Sequence, residues 1–157
     1  MRFALLLLPA LLAGQPAYAK VDLIRVDKSE RKLWLYESGA VVREYDIRLG
    51  SQPEGPKQRE GDGRTPEGRY RIAGKNPNSA YTLSLRISYP EAAERARAKA
   101  VGVDPGGDIM VHGQPDWLPD FLSLPGDWTL GCVAVTNEAI REIYAMVDVG
   151  TPIEILP

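Results

Sequence analysis

The sequence predicts a mainly β domain carrying one or two short α-helices. Three observations point that way. Short runs with apolar side chains on alternate positions recur from Val21 onward, separated by polar or glycine-containing turns. Only one stretch, Glu138 to Val147, has its large apolar residues at the i, i+3, i+4 and i+7 spacing of a core-facing helix. No internal repeat and no linker divides the chain, and its 157 residues suit one domain with a substantial core.

The first segment, Met1 to Ala19, reads as a secretory signal and not as part of the fold. Arg2 supplies a positive start, Phe3 to Ala13 is almost wholly apolar, and Ala17-Tyr18-Ala19 forms a small-x-small cleavage signature before Lys20. The apolar run falls well short of the roughly 20 residues that span a bilayer. The expectation is an exported domain over residues 20–157, facing the periplasm or cell wall, with no membrane span after cleavage. No cysteine follows the cleavage site to carry a lipid.

Strands are then expected over Val21 to Asp27, Lys32 to Glu37 and Val41 to Leu49, joined by the polar turn Lys28-Ser29-Glu30 and by Ser38-Gly39. Gly50 to Gly63 lacks apolar periodicity and reads as a mobile loop. Within Gly61 to Gly68, Pro66 and Gly68 form a tight turn into a strand at Arg69 to Ala73. Taken alone, this turn is structural. Asn76-Pro77-Asn78-Ser79 reads as a further loop before a strand at Tyr81 to Ser88. There Leu83, Leu85 and Ile87 share one face, and Thr82, Ser84, Arg86 and Ser88 the other. The polar face suits either a polar ligand or water.

Pro90 to Val101 is alanine-rich, with charges at i,i+3 and i,i+4 spacing, and suits a surface helix. A short buried strand at Ile109 to His112 follows. Gln114 to Gly126 holds Trp117, Leu118, Phe121 and Leu122, too apolar for a solvated linker, and is expected to act as a lid or wall. Asn137 is the expected N-cap of the Glu138 to Val147 helix, and Pro152 to Leu156 returns as the last strand.

The formal net charge is −2, one unit more negative without Arg2, and no basic block is present. Such a chain is a poor nucleic-acid binder. One histidine and one cysteine are too few for a zinc site without carboxylates, and no Walker or Gly-x-Ser-x-Gly pattern occurs. What remains is Cys132 with His112. An exported chain normally pairs its cysteines, so an unpaired thiol favours chemistry over structure. A nearby imidazole would favour the thiolate, and Gly131 would let the backbone turn tightly with amides facing a developing oxyanion. A buried, inert cysteine and an unrelated core histidine fit the same residues.

His112 is followed by sixteen residues and then Thr129-Leu130-Gly131-Cys132. This pattern, with Gly61 to Gly68 and the opening β-meander, resembles the catalytic domain of the L,D-transpeptidases, the YkuD-like family. Asn76 to Pro90, Asp127-Trp128-Thr129 and Gly131 to Asn137 are most similar to its YafK/ErfK-type branch. The resemblance implies an L,D-transpeptidase-like β-sandwich acting on peptidoglycan stem peptides, with no cofactor and no metal, as a monomer. It implies Cys132 as nucleophile, His112 as base oriented by the Gly113 carbonyl, and Thr129, Leu130 and Gly131 as orienting or oxyanion residues. Tyr81, Ser84 and Arg86 are candidate substrate contacts. Leu130 and Ala134 stand where many members carry histidine and arginine or asparagine. The family resemblance implies that the acyl-enzyme passes to an amine, and these two departures point to the alternative, hydrolysis, including release of a wall-tethered protein. A wall-binding module without catalysis is a further alternative.

Overall fold

The computed structural model describes residues 20–157, so the signal segment at Met1 to Ala19 lies outside the described residues. The described residues form eight strands and two helices: β1 Leu23–Asp27, β2 Lys32–Glu37, β3 Ala40–Asp46, β4 Gly68–Ser79, β5 Thr82–Ile87, α1 Ala92–Ala100, β6 Met110–His112, β7 Val133–Ala134, α2 Asn137–Met146 and β8 Pro152–Leu156. The strands make one sheet in the order β3-β2-β1-β8-β4-β5-β6-β7. The β1–β8 and β6–β7 pairings are parallel and the rest antiparallel.

Strand β4 changes partner along its length. Gly68 to Arg71 pair with β8, and Ile72 to Ser79 pair with β5. The far edges of the sheet are also joined. Arg48 and Ala134 exchange two backbone hydrogen bonds of 2.8 Å each, and Gly50 bridges to Thr129. The mainly β architecture expected from sequence is thus one sheet whose ends meet, folded around a single apolar cluster. Ile24 and Val26 of β1, Leu33 and Leu35 of β2, Leu85 of β5, Val111 of β6, and Ile153 and Ile155 of β8 lie in that cluster. So do Ile140 and Ile143 of α2, the apolar stripe that predicted the helix. Burying each such side chain contributes about 1.5–3 kcal/mol.

Several local expectations change once the chain is folded. Asn76 to Ser79 is the end of β4 and not a loop: Asn76 pairs with Ser84 and Ser79 with Thr82, and the register slips between them around Pro77. A proline without an N–H is tolerated at such an irregularity. Helix α2 is capped by Thr136, whose hydroxyl accepts from Ala139 N at 3.1 Å, and not by Asn137. Asn137 is instead buried, its Oδ1 accepting from Thr82 Oγ1 (2.9 Å) and Gln114 N (2.8 Å). Helix α1 lies on the surface as expected, with only Ala98 buried.

The largest departure is Gly50 to Gly63. It is irregular, but it is hydrogen-bonded into the domain. Gln52 N donates to Gly63 O (2.9 Å), Glu60 N to Asp104 O (2.8 Å), and Lys57 is buried against Asp62. The turn residue Lys28 is also buried, 2% exposed. Its ammonium donates to Gly55 O (2.8 Å), Thr65 O (3.2 Å) and Glu67 Oε1 (2.7 Å), so all three N–H groups have acceptors. One side chain from the first hairpin thereby holds the segment that leads into β4. Lys28→Met should leave those acceptors unpaired and lower unfolding free energy by about 2–4 kcal/mol, moderated by the partial exposure of Glu67. The urea midpoint of the two proteins measures it, and an unchanged midpoint would show that the buried ammonium contributes nothing net.

Candidate active site

Three backbones converge beneath the Thr129 to Cys132 turn. A Cβ on Gly50 would lie 2.1 Å from Gly63 O, and one on Gly131 would lie 2.6 Å from Arg64 O. Gly131 also has φ +134°, a region that side chains disfavour. The Gly61 to Gly68 segment, which reads as a simple turn in sequence, is therefore the surface on which the cysteine turn rests.

Thr129 locks that turn. Its hydroxyl donates to Cys132 O (2.7 Å) and accepts from Gly131 N (3.1 Å), while its own N–H donates to Leu49 O (3.1 Å). Asp127 anchors the approach, accepting from Leu49 N (2.9 Å) and from two nitrogens of Arg31 (2.8 and 3.1 Å). The Gly131 amide is thus engaged. The amides of Leu130 and Cys132 have no acceptor among the described residues.

The parallel β6–β7 ladder pairs Val111 with Val133 and His112 with Ala134, which sets Cys132 beside the histidine strand. Both residues line one cavity of about 590 Å³, with Lys57, Tyr81, Trp128 and Leu130. His112 is only 4% exposed. Its Nδ1 lies 2.7 Å from Gly113 O. A carbonyl can only accept, so Nδ1 carries the proton and Nε2 keeps its lone pair. A Cβ on Gly113 would approach Asn137 Oδ1 to 2.7 Å, so glycine is needed for the strand to pass close to α2. The Tyr81 ring lies 4.5 Å from the imidazole and Trp128 5.7 Å, centroid to centroid.

The thiol donates to Asp108 O at 3.6 Å, a long contact. Burial pushes the Cys132 thiol above its ordinary value, opposed by the Met110 N–H and by the Lys57 ammonium. Burial likewise holds His112 below the ordinary imidazole value of 6.5, and its bond to Gly113 only partly offsets this. The resting pair is therefore a neutral thiol and a neutral imidazole. A proton moving from sulfur to nitrogen would create two charges that compensate each other in place.

The expected site residues do not all gather. Cys132, His112, Thr129, Leu130 and Tyr81 line the cavity, and Gly113 and Gly131 support it from behind. Ser84 and Arg86 line a separate cavity of about 260 Å³ that shares only Met110. Ser84 is 1% exposed, paired across the ladder with His112, so it reinforces the histidine strand and offers little surface to a ligand. The Gln114 to Gly126 segment is no lid over this cavity: Trp117 and Phe121 point to solvent, 73% and 86% exposed. Lys57 and Trp128 also line the cavity; a charged residue in a glycine-rich loop carries no local signal of such a role, and Trp128 is marked in sequence only as part of Asp127-Trp128-Thr129. Among the described residues no group of three or more His, Cys, Asp or Glu side chains converges as a metal set would.

Two outcomes follow. The chain has one histidine, so its ring protons titrate unambiguously by NMR; the midpoint should fall below 6.5. By linkage, the unfolded imidazole binds its proton first as pH falls below 6.5, so His112 should reduce folded stability there and contribute none of that loss above it. A midpoint at or above 6.5 would show that burial does not disfavour the charged imidazole. Gly131→Ala should destabilise the fold by about 2 kcal/mol or more, through left-handed strain and the clash with Arg64 O, read by thermal unfolding.

Comparison with known proteins agrees with this geometry. The model of the YkuD family, the L,D-transpeptidase catalytic domain, matches residues 21–155, which takes in every strand from β1 to the penultimate residue of β8. YafK of Escherichia coli (strain K12) is 34% identical over 142 residues, covering 87% of this chain and 49% of that protein. The chain spans about half the length of the curated relatives it matches. Among solved structures, the helical cell shape determining protein Pgp2 of Campylobacter jejuni superposes with a TM-score of 0.66 at 28% identity, covering 88% of this chain and 49% of that one. Bd1075 of Bdellovibrio bacteriovorus gives 0.61 at 27%, covering 90% and 49%. The C442S mutant of the Enterococcus faecium L,D-transpeptidase shares the fold, with a TM-score of 0.56 at 21% identity, covering 88% and 50%. With all of the described sheet but its last residue, and the Cys132–His112 cavity, inside the matched region, the chain belongs to the YkuD family of L,D-transpeptidase catalytic domains.

Proposed function

We propose that this chain is an exported cysteine acyltransferase that opens L–D peptide links in peptidoglycan stem peptides. The observation that carries the reading is the shared cavity of Cys132 and His112, with the imidazole tautomer set by Gly113 O so that Nε2 can accept a proton. Residues 1–19 are taken as the signal and residues 20–157 as the catalytic domain. Among the described residues no helix is long and apolar enough to cross a membrane.

In the proposed reaction the thiol exchanges its long contact to Asp108 O for one to His112, and its proton moves from Sγ to Nε2. The thiolate attacks the carbonyl carbon of the L-centred residue; the S–C bond forms and the C=O π electrons move to oxygen. The free amides of Leu130 and Cys132 are the donors assigned to that oxyanion, since Gly131 N is held by Thr129. When the oxyanion collapses, the C–N bond breaks and Nε2–H protonates the leaving amine. The thioester then passes to a second amine, making a cross-link, or to water, making a cut. In either case Nε2 takes the proton of the incoming nucleophile, the new bond to the carbonyl carbon forms, the S–C bond breaks, and Nε2–H returns its proton to sulfur. The adjoining Tyr81 and Trp128 rings lie against the buried imidazole, and the lower local dielectric strengthens each electrostatic step.

Ala134 is fully buried in its pairing with His112 and Arg48, away from the cavity, so only Leu130 of the two sequence departures faces an incoming acceptor. Leu130 is 80% exposed. An apolar side chain at the mouth cannot hydrogen-bond an acceptor amine, and this favours water as a competing acceptor, with hydrolysis as the second reading. A wall-tethered protein is one possible leaving group in that reading.

Intact-protein mass after mixing with a disaccharide tetrapeptide tests the proposal. An acyl adduct is expected on the native chain, none on Cys132→Ala, and formation slowed about 100-fold or more in His112→Gln. Absence of any adduct would leave a wall-binding module. With an acceptor amine present, cross-linked product supports transfer, and hydrolysed product that ignores the acceptor sinks it.

A further inference from the structure

A second cavity, about 570 Å³, lies against the candidate active site and shares Gly61 with it. Its lining includes Gln52, Arg59, Asp62, Arg64 and Arg97. Asp62 does not neutralise the arginines, because its carboxylate is already engaged. It accepts from Lys57 Nζ (2.9 Å) and from the amides of Gln58 (2.7 Å), Arg59 (3.1 Å) and Arg64 (3.1 Å). Although burial alone would raise it, these donors hold its pKa down at about 2. The Lys57–Asp62 pair is therefore closed on itself, and it forms the buried partition between the two cavities. Among the described residues none of the three guanidiniums pairs with a carboxylate. Arg97 donates only to Lys57 O, at 3.1 Å. A chain with a net charge of −2 thus concentrates three uncompensated cations around one cavity. Val101 and Val103 add an apolar wall to it.

Guanidiniums facing a concave space recognise carboxylates through paired N–H donors. The apolar wall suits an anion carried on an aliphatic backbone better than a free inorganic ion. We infer that this cavity is a subsite for a carboxylate of the substrate peptide, seated on Arg59, Arg64 and Arg97 across Gly61 from Cys132. The inference rests on the peptide-acylating reading above. It makes these arginines specificity determinants that favour peptides with a free carboxylate away from the scissile bond over amidated ones.

The test uses a stem tetrapeptide with its side carboxylate free and the same peptide amidated at that carboxylate. Binding is measured on the Cys132→Ala chain by tryptophan fluorescence, and acylation on the Cys132-containing chain by mass. The free form should bind about tenfold or more tighter than the amidated form. Arg59→Gln, Arg64→Gln and Arg97→Gln should each erode that preference by weakening the free form alone, and in turnover they should raise KM with kcat unchanged. Far-UV circular dichroism and the rate of Cys132 alkylation by iodoacetamide identify any variant that has lost its fold, and preference is then read from the other two. Equal affinity for both peptides, or equal losses on both in the folded variants, would overturn the subsite. Displacement of the peptide by inorganic phosphate at matching concentration would overturn the assignment to a peptide carboxylate. Arginine-dependent preference in binding without any Cys132 adduct would instead overturn the proposed reaction and leave the subsite standing.

Discussion

Gly50, Gly63 and Gly131 bring three stretches of backbone closer together than any side chain permits. The carbonyl oxygens of Gly63 and Arg64 occupy the space where Cβ atoms of Gly50 and Gly131 would be. This contact connects parts of the chain that are far apart in sequence: the segment after β3, the turn before β4 and the turn before β7. It sets the depth at which Cys132 sits and the wall that Lys57 and Trp128 form around it. The bridges from Arg48 to Ala134 and Gly50 to Thr129 close the sheet at the same place. A fold whose two edges met elsewhere would have the same strands and no cavity.

Around that contact the domain holds two buried ammonium groups, an expensive choice that is sustained by hydrogen bonds. Lys28 satisfies all three of its donors and secures the segment structurally. Lys57 is paired with Asp62 and stands next to the cavity of the thiol, whose charged form it favours. Burial otherwise opposes charge on both groups, pushing the Cys132 thiol up and His112 down. A charge on either group alone is thus disfavoured, and an opposite charge on the other would offset it. Arg59, Arg64 and Arg97 supply positive potential on the other side of the same partition.

The structure also reassigns several residues by showing what their side chains touch. Asn137 ties the strand after Thr82 to α2 and to the Gln114 backbone, and the cap falls to its neighbour Thr136. Thr82 is held at a positive φ of 69° beside that bond. This strained conformation for a β-branched residue directly follows Tyr81, whose ring lies against His112. Local rules choose Asn137 as the cap because Asn and Thr are comparable there. Tertiary contacts decide between them, since the Asn137 amide is committed to accepting from Thr82 and Gln114 and to donating from Nδ2 to Asp120 (2.9 Å).

The residues by themselves determined the strand-rich class, the α2 helix and the candidacy of Cys132 and His112. Alternation and the 3.6-residue period are local consequences of backbone geometry, and a lone thiol with a lone imidazole leaves few chemical choices. Only the tertiary structure decided that Gly61 to Gly68 underlies the cysteine turn, that Lys28 and Lys57 are buried, and that Ser84 and Arg86 lie outside the cavity. It also decided which turn amides stay free. These depend on contacts between residues 15 to 80 positions apart, such as Gly50 with Thr65 and Leu49 with Asp127. No local pattern encodes such contacts, because the cost of burying a lysine or crowding a glycine exists only after the sheet has closed.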